Sequence, residues 1–372
     1  MNIQEENWYE VTNIANFDTP ALLFYPERIQ SNITIASNII RDDSLLRPHV
    51  KTHKCGEVTK MMMNAGVNKF KCATIAEAEM LAMNQAADVL LAYQPVGIKI
   101  NRFLQLIKTY PNTKFSCLVD NEASLNAISK AAVQENVIIH LFIDVDTGMH
   151  RTGILPEQTL QLYRLCLDTE SIVLLGFHAY DGHINTTDPE QRTKECYAGF
   201  NSLSQLVMNL TNDSKNRMVI VAGGTPTFPI YAQMDSVECS PGTFILYDHG
   251  YQQSFPDLPF LPAALVVTRV IAVLDEYTVC LDLGHKAIAA ENCLDHRIRF
   301  LNAPGVVFIG HSEEHLVIST KTSHQLKLGD VLYGLPVHIC PTCALYDIAN
   351  IVVDRKMAGE WKIIARNRKI TI

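Results

Sequence analysis

The sequence predicts an α/β fold, a (β/α)8 barrel of the TIM type followed by an antiparallel β-domain. From about residue 45 to residue 248, short β-rich runs alternate with longer amphipathic stretches at intervals that suit one strand plus one helix. Some of these strands, such as 137–145 and 172–176, are almost wholly apolar, as expected when helices cover both faces of a parallel sheet. After about Pro262 the apolar runs become short and β-branched, with Gly, Asp and Asn between them, which is typical of hairpins.

Eight barrel strands follow from this alternation. Helix start signals support the order, for example Asn121 before Glu122 and the Asp188-Pro189 pair before a long amphipathic stretch. A further strand at about 18–25 precedes a predicted helix over 26–40, and we expect that strand to join the β-domain. The predicted domains are therefore a barrel over 1–255 and a β-domain over 256–372. The barrel strands are predicted to end near Lys51, Ile75, Gln94, Asp120, Val145, Tyr180, Gly224 and Asp248.

Composition and charge exclude several classes of protein. The 372 residues include 31 basic and 39 acidic side chains, and the net charge of −8 argues against general affinity for nucleic acid or anionic lipid. A hydrophobic fraction of 48% argues against disorder. The start of the chain is acidic and lacks the apolar run of a signal peptide, so the ten cysteines are expected to be reduced thiols or metal ligands. We expect a cytoplasmic enzyme without membrane or nucleic-acid partners.

In such barrels the active site lies at the carboxyl ends of the strands. Lys51 ends the first strand, where a buried lysine with a lowered pKa can form a Schiff base with an aldehyde cofactor. Arg151 lies between two glycines after the fifth strand and can hold an anionic oxygen. His178 and Tyr180 share one face of the sixth strand. Each of these residues has a purely structural alternative, namely a surface lysine, a salt-bridged turn or a packed aromatic pair.

Two glycine loops follow the seventh and eighth strands, where barrels often bind phosphate. Exposed backbone N–H groups and hydroxyls can cradle a phosphate group. Ordinary turn glycines are the alternative interpretation, but the presence of both loops favours phosphate binding. The residues concerned are Gly223, Gly224, Thr225, Ser240, Gly242 and Thr243.

A candidate metal site lies in the β-domain. His338 and Cys340 are predicted to alternate onto one face of a strand, and an imidazole with a thiolate favours Zn²⁺ over Mg²⁺ or Ca²⁺. The Cys340–Cys343 spacing also permits a redox pair or half of a zinc ribbon, although no second such pair exists to complete a ribbon. On a strand, Cys343 faces the opposite side unless Pro341 turns the chain. Buried thiols without a metal remain an alternative.

Together these segments resemble the D-serine dehydratase/D-threonine aldolase group of alanine-racemase-fold pyridoxal-phosphate enzymes. The resemblance implies that Lys51 binds the cofactor aldehyde, that Arg151 lies near the ring hydroxyl, and that His178 and Tyr180 surround the ring. Ser240 stands where alanine racemases carry an arginine facing the pyridine nitrogen, so the resemblance does not extend to racemase electronics. The family resemblance rests on the order in which these motifs follow one another along the chain: DTPA (18–21), RPHVKTHK (47–54), CATIAEAE (72–79), DTGMHRTG (146–153), GGTPT (223–227), SPGTF (240–244) and HICPTC (338–343).

The resemblance also implies the remaining parts of the site. Gly223, Gly224, Thr225, Gly242 and Thr243 match the phosphate cup. His338 and Cys340 match the zinc pair of the dehydratase branch, whereas the aldolase branch typically has an aspartate at the second position and prefers manganese. Catalytic zinc usually has three protein ligands, so water, substrate or another side chain must complete the shell. The family further implies a head-to-tail homodimer.

The expected function is that of a pyridoxal-phosphate- and zinc-dependent lyase acting on a β-hydroxy D-amino acid, in the manner of D-serine dehydratase. The nearest alternative is an aldolase or dehydratase of D-threonine or 3-hydroxyaspartate, with Mn²⁺ as a second candidate ion. A non-catalytic pyridoxal-phosphate carrier is the alternative from another class, but a carrier needs neither a β-domain nor a metal pair. A purely structural zinc protein leaves Lys51 and the glycine loops unexplained.

Overall fold

The computed structural model describes residues 7–40, 42–211, 218–234, 237–320 and 325–372. The expectation that the start of the chain is not a signal peptide concerns residues of which 1–6 lie outside the described part of the chain. The chain divides into two compact units. The barrel unit comprises Thr34–Lys51, Thr59–Gly242 and Asn367–Ile372, and the β unit comprises the residues up to Ile33, Thr52–Val58 and Thr243–Arg366. Among the residues described, none of the helices combines the length and hydropathy needed to cross a bilayer.

The helices begin where the sequence signals predicted. The helix expected over 26–40 is present, and the helix at Glu122 starts after Asn121, whose side chain accepts a hydrogen bond from the Ser124 N–H. The helices are α1 (Pro26–Ile40), α2 (Gly56–Asn64), α3 (Ile75–Met83), α4 (Ile98–Thr109), α5 (Glu122–Gln134), α6 (Thr159–Asp168), α7 (Pro189–Thr211), α8 (Phe228–Tyr231), α9 (His249–Ser254) and α10 (Ile339–Cys343).

The barrel unit contains a parallel sheet whose described strands pair in chain order, which confirms the predicted fold class. Its interior includes Leu90, Leu118, Phe142 and Val221, each almost fully buried. Apolar strands covered on both faces account for this burial. The strands are β2 (Lys69–Cys72), β3 (Asp88–Leu91), β4 (Lys114–Val119), β5 (Ile139–Asp144), β6 (Ile172–Ala179), β7 (Val219–Ala222) and β8 (Val237–Cys239).

The predicted first barrel strand is present only as isolated bridges. Leu46 bridges to Cys239 of β8 and His49 bridges to Lys71 of β2, both in parallel. Pro48 lacks an N–H group and so cannot donate to a regular ladder. Segment 46–50 nevertheless connects the last strand of the sheet to the first. The predicted end of the eighth strand near Asp248 is wrong: β8 ends at Cys239, and a short 3-10 helix occupies Thr243–Ile245.

The β unit is built around a mainly antiparallel sheet, as predicted. Its strand order is β12-β13-β10-β9-β1-β15-β16, with β14 paired to β9 and to β11. Strand β1 pairs antiparallel with β9 and parallel with β15, which is the exception to the hairpin pattern. The strands are β1 (Ala21–Phe24), β9 (Ala264–Val273), β10 (Thr278–Leu281), β11 (Ile298–Phe300), β12 (Val307–His311), β13 (Leu316–Ser319), β14 (Val331–Pro336), β15 (Ile348–Val353) and β16 (Lys356–Lys362).

A buried ion network lies inside the barrel unit. Arg47 is 2% exposed; its Nε donates to Glu238 at 2.6 Å and its Nη1 donates to Asp88 at 2.6 Å. Glu238 also pairs with Lys69. Taking these charges out of water is costly, so each depends on its partner. The network joins segment 46–50 to β2, β3 and β8.

Replacing Arg47 with Met should lower the free energy of unfolding by about 3 kcal/mol, because Asp88 and Glu238 lose a buried partner. Denaturant unfolding followed by circular dichroism measures this change. Lys108→Met is the matched control, since Lys108 forms an exposed pair with Glu135, and it should change stability by less than about 1 kcal/mol. Equal effects of the two substitutions would contradict the structural role of Arg47.

Candidate active site

Three cationic side chains surround the ring of Tyr180 in the barrel unit. The Lys51 and Lys71 Nζ atoms each lie 5.5 Å from the ring centroid, and the Arg151 Cζ atom lies 5.1 Å from it. Lys51 ends segment 46–50 and is half-buried, whereas Arg151 is exposed on the loop after β5. The structure therefore brings together Lys51, Arg151 and Tyr180 as predicted candidates. Three positive charges at one ring indicate an anionic ligand.

His178 lies beside this group on β6. Its Nδ1 donates to Asp144 Oδ1 at 2.7 Å, and the residue is 4% exposed. Burial and the charge of Lys71 lower the pKa of His178 despite the opposing effect of Asp144. The imidazole is thus neutral, with Nδ1–H donated to Asp144 and Nε2 left as an acceptor.

Sequence reasoning missed Lys71. Its Nζ donates to Ser240 Oγ at 2.5 Å and lies 3.4 Å from His178 Nε2. Ser240 Oγ in turn donates to the Gly223 carbonyl at 3.1 Å. Burial and the nearby charge of Lys51 lower the pKa of Lys71 to about 7. The only signal in the sequence was a second lysine in the short strand that follows the Lys51 segment.

The two predicted glycine loops meet in the barrel unit. The Gly242 N–H donates to Thr225 Oγ1 at 3.2 Å, which links the loop after β8 to the loop after β7. Gly223 has a φ of +83°, and a Cβ there would lie 3.0 Å from the Tyr231 ring. A Cβ at Gly224 would fill the space beside Tyr180. These loops form a cradle that side chains at the glycines would fill, and it suits a phosphate group.

The predicted metal pair lies in the β unit, but not on a strand. Strand β14 ends at Pro336, and His338 precedes the short helix α10, which contains Cys340. Proline is tolerated in the first turn of a helix, so Pro341 does not prevent this conformation. The side chains of His338 and Cys340 nevertheless lie close enough to interact, because each shifts the pKa of the other. The strand prediction was wrong, while the predicted proximity of the two side chains is present.

The His338 and Cys340 side chains favour each other's charged forms, and a metal ion would bind the pair by displacing the proton of the imidazole. Burial opposes ionisation of Cys340, but the interaction with the charged His338 outweighs burial and lowers the pKa of the thiol. Burial likewise opposes protonation of His338, yet Cys340, Asp248 and Glu291 raise its pKa to about 9. A thiolate next to an imidazole is a donor set that suits Zn²⁺.

Four further residues position this pair, and sequence reasoning missed their roles or assigned them elsewhere. Glu291 accepts a hydrogen bond from His338 Nδ1 at 2.6 Å, and Asp248 accepts one from the Ile339 N–H at 3.0 Å. The hydroxyls of Thr52 and Thr243 lie 3.2 and 3.4 Å from Cys340 Sγ. Thr243, predicted for the phosphate cup, thus directs its hydroxyl toward the thiol.

Cys343 does not join the pair as a second ionised thiol. It is fully buried, and burial together with the charges of Cys340 and Cys55 raises its pKa well above the usual thiol value. A protonated thiol is a poor metal ligand.

Purified protein freed of metal should bind Zn²⁺ at the pair. Cys340→Ser and His338→Ala should each lower the Zn²⁺ affinity at least about tenfold, because each removes one of two protein ligands; titration calorimetry measures the affinity. Cys293→Ser is the control, since Cys293 belongs to an exposed group with Asp295 and His296 that can also attract a metal ion. If only Cys293→Ser lowered the affinity, the ion would bind at the exposed group.

Comparison with known proteins places these features in a family. Residues 26–248 match the family model described as alanine racemase, N-terminal domain. Residues 263–352 match the model described as a putative serine dehydratase domain. The chain is 27% identical to D-threonine aldolase from Arthrobacter sp. over 365 residues, which cover 95% of this chain and 94% of that protein.

Solved structures share the fold. D-threonine aldolase from Filomicrobium marinum superposes with a TM-score of 0.88 at 22% identity, covering 95% of this chain and 96% of that chain. D-threo-3-hydroxyaspartate dehydratase from Delftia sp. HT23 superposes with a TM-score of 0.79 at 22% identity, covering 94% of this chain and 98% of that chain. The family match spans more than half of the sequence. The chain therefore belongs to the alanine racemase N-terminal domain family, in its branch of D-serine dehydratase- and D-threonine aldolase-like proteins.

Proposed function

We propose that this protein is a pyridoxal-phosphate-dependent lyase that eliminates the β-hydroxyl group of a D-amino acid, in the manner of D-serine dehydratase. The observation that carries the proposal is that His338 lies beside Cys340, whose thiol pKa is lowered, in a chain whose barrel unit gathers Lys51, Tyr180 and Arg151. Curated relatives include D-threo-3-hydroxyaspartate dehydratase from Delftia sp. and D-serine dehydratase from Dictyostelium discoideum.

The barrel unit supplies the groups that hold pyridoxal phosphate. Lys51 Nζ would bind the aldehyde carbon, and the cradle formed by the loops at Gly223–Thr225 and Gly242 would hold the phosphate group. Arg151 would lie near the ring hydroxyl and His178 near the ring. The cofactor, when bound, supplies an electron sink for the carbanion formed at the substrate Cα.

Lys51 is the acid–base group of the proposed reaction. With the cofactor and substrate bound, its Nζ would be the group that takes the proton from the substrate Cα. Loss of the β-hydroxyl and hydrolysis then yield a 2-keto acid and ammonia.

The β unit supplies the metal ligands. His338 and Cys340 would hold Zn²⁺, with Mn²⁺ as the alternative ion, and the ion would act as a Lewis acid on the departing β-hydroxyl. Thr52, which contacts Cys340 Sγ, directly follows Lys51 in the chain. Matched dehydratase structures include alanine variants of a histidine and a cysteine two positions apart, and the cysteine variant is in the metal-free form. That spacing supports the same pair here.

Retro-aldol cleavage is the second candidate function. The relatives include D-threonine aldolase and 3-hydroxy-D-aspartate aldolase, which indicates the same cofactor with a different broken bond. Cys340 favours elimination, because the aldolase branch typically has an aspartate at that place. A carrier without catalysis is disfavoured, because it has no use for the pair.

The quaternary structure and compartment are part of the proposal. We propose a head-to-tail homodimer in the cytoplasm, with the cofactor in the barrel domain and the metal in the C-terminal β-domain. Sedimentation of the purified protein distinguishes a dimer from a monomer.

Purified protein supplied with pyridoxal phosphate and Zn²⁺ should convert D-serine or threo-3-hydroxy-D-aspartate to a 2-keto acid and ammonia. EDTA, or the substitution Cys340→Ala, should lower this rate at least about tenfold while pyridoxal phosphate stays bound, because Lys51 and the glycine loops are unchanged. Keto acid and aldehyde are assayed separately, with Cys293→Ser as the control. Glycine and an aldehyde from D-threonine would identify an aldolase instead, and no turnover of any substrate would favour the carrier.

Borohydride reduction of the protein with pyridoxal phosphate should attach the pyridoxyl group to Lys51, because reduction makes the lysine–aldehyde linkage permanent. Peptide mapping by mass spectrometry locates the label, and Lys51→Ala should remove it. Lys54 and Lys71 are internal controls in the same or the neighbouring segment. A label on either of them in the unsubstituted protein would overturn the assignment of Lys51.

A further inference from the structure

Strand β2 places two lysines at successive levels inside the barrel unit, and only one of them has a carboxylate partner. Lys69 pairs with Glu238 of β8. Two residues further along β2, Lys71 donates a hydrogen bond to Ser240, which directly follows β8 and whose hydroxyl carries no charge. Among the described residues no carboxylate forms an ion pair with Lys71, and Asp144 and Asp181 act on it only at longer range.

Burying Lys71 without an opposite charge lowers the stability of the folded protein when no ligand is bound. Lys71 is 2% exposed, and a buried ammonium group without an opposite charge destabilises a folded protein. Its hydrogen-bonding neighbours, Ser240 Oγ and His178 Nε2, are neutral, and the nearby Lys51 adds a positive charge that the more distant carboxylates do not pair with. A buried charge that destabilises the unliganded protein is expected to interact with a bound molecule.

We propose that Lys71 is a second lysine of the cofactor pocket, which holds Ser240 and His178 in place and presents a buried positive charge to the ring of bound pyridoxal phosphate. The inference rests on the proposed function, since it requires that the pocket bind this cofactor. Lys71 and Lys51 lie at the same distance, 5.5 Å, from the Tyr180 ring centroid, so both belong to one pocket. Lys51 forms the covalent bond, and Lys71 is a positioning residue.

A positive charge beside a pyridine ring has a definite electrical effect. It stabilises negative charge in the ring and its phenolic oxygen, and it disfavours protonation of the ring nitrogen. If Lys51 forms the covalent bond and Lys71 supplies the charge, the neutral hydroxyl of Ser240 is the better partner for Lys71 than a carboxylate. An aspartate at that place would neutralise the ammonium group and leave no net charge for the ligand.

Pyridoxine 5′-phosphate tests the inference, because it lacks the aldehyde and so binds without reacting with Lys51. Lys71→Met should weaken its binding about tenfold, as expected for the loss of one charged hydrogen-bond donor. The absorption spectrum of the bound analogue should shift toward the form with a protonated ring nitrogen. Ser240→Asp should shift the spectrum in the same direction while Lys71 is retained.

Lys69→Met is the matched control on the same strand. It removes a lysine from an ion pair that Arg47 also stabilises, and it should leave the affinity and spectrum of the analogue unchanged. Thermal unfolding of the protein without ligand provides a second measurement. Lys71→Met should raise the unfolding temperature, because an apolar side chain replaces an unpaired buried charge.

The outcomes separate the two proposals. Failure of the unsubstituted protein to bind pyridoxine 5′-phosphate would overturn the proposed function. Binding by the unsubstituted protein, with the same affinity and spectrum in Lys71→Met, would overturn only the role of Lys71. A lowered unfolding temperature with an unchanged spectrum would show that Lys71 is merely structural. If Lys71→Met fails to fold, Lys71→Gln removes the charge with a polar side chain, and the same spectral shift is required.

Discussion

The hydrogen bonds by which segment 46–50 joins the two ends of the parallel sheet are the constraint on which the barrel unit depends. The Arg47 N–H donates to the Cys239 carbonyl and the Val50 N–H donates to the Lys71 carbonyl, so the segment lies between β8 and β2. Because Pro48 prevents a regular ladder, few such bonds are available, and the buried side chain of Arg47 adds its ion pairs to Asp88 and Glu238. Lys51, at the end of the segment, is thereby held next to β2, which carries Lys71, and to Ser240, which directly follows β8.

Charged side chains lie at two levels inside the barrel unit, and only those at the lower level are balanced by opposite charges. At the lower level, Arg47 and Lys69 are balanced by Glu238 and Asp88, and this part is structural. At the upper level, Lys51, Lys71 and Arg151 surround Tyr180, while Asp144 is engaged by His178. The excess of positive charge at the upper level suits a cofactor with a phosphate group and a phenolic oxygen. Burial, together with the nearby charge of Lys51, lowers the pKa of Lys71, and no carboxylate of the described residues offsets this by ion-pair contact.

The groups around the His338–Cys340 pair favour ionisation of the Cys340 thiol. Glu291 fixes the imidazole, and two threonine hydroxyls lie against the sulfur. Carboxylate partners of this kind orient metal-binding histidines in general. In the proposed function, elimination and retro-aldol cleavage would both use the same cofactor, so the residue beside His338 bears on which bond would break without determining it alone.

The sequence by itself determined the fold class and most of the candidate site, because strand-end residues in a parallel barrel share one end whatever the details of packing. Lys51, Arg151, His178 and the glycine loops were found by that rule. Lys71 was not, because alternation in the run Lys69–Cys72 is equally compatible with lysines facing solvent, and only closure of the sheet by segment 46–50 buries it. The tertiary structure also decided the conformation of His338 and Cys340. Alternation indicated a strand, but the Asp248 carboxylate, distant in sequence, accepts the Ile339 N–H and stabilises the start of a helix. Partners so far apart in the chain leave no local pattern, and for that reason their effects could not be predicted from sequence.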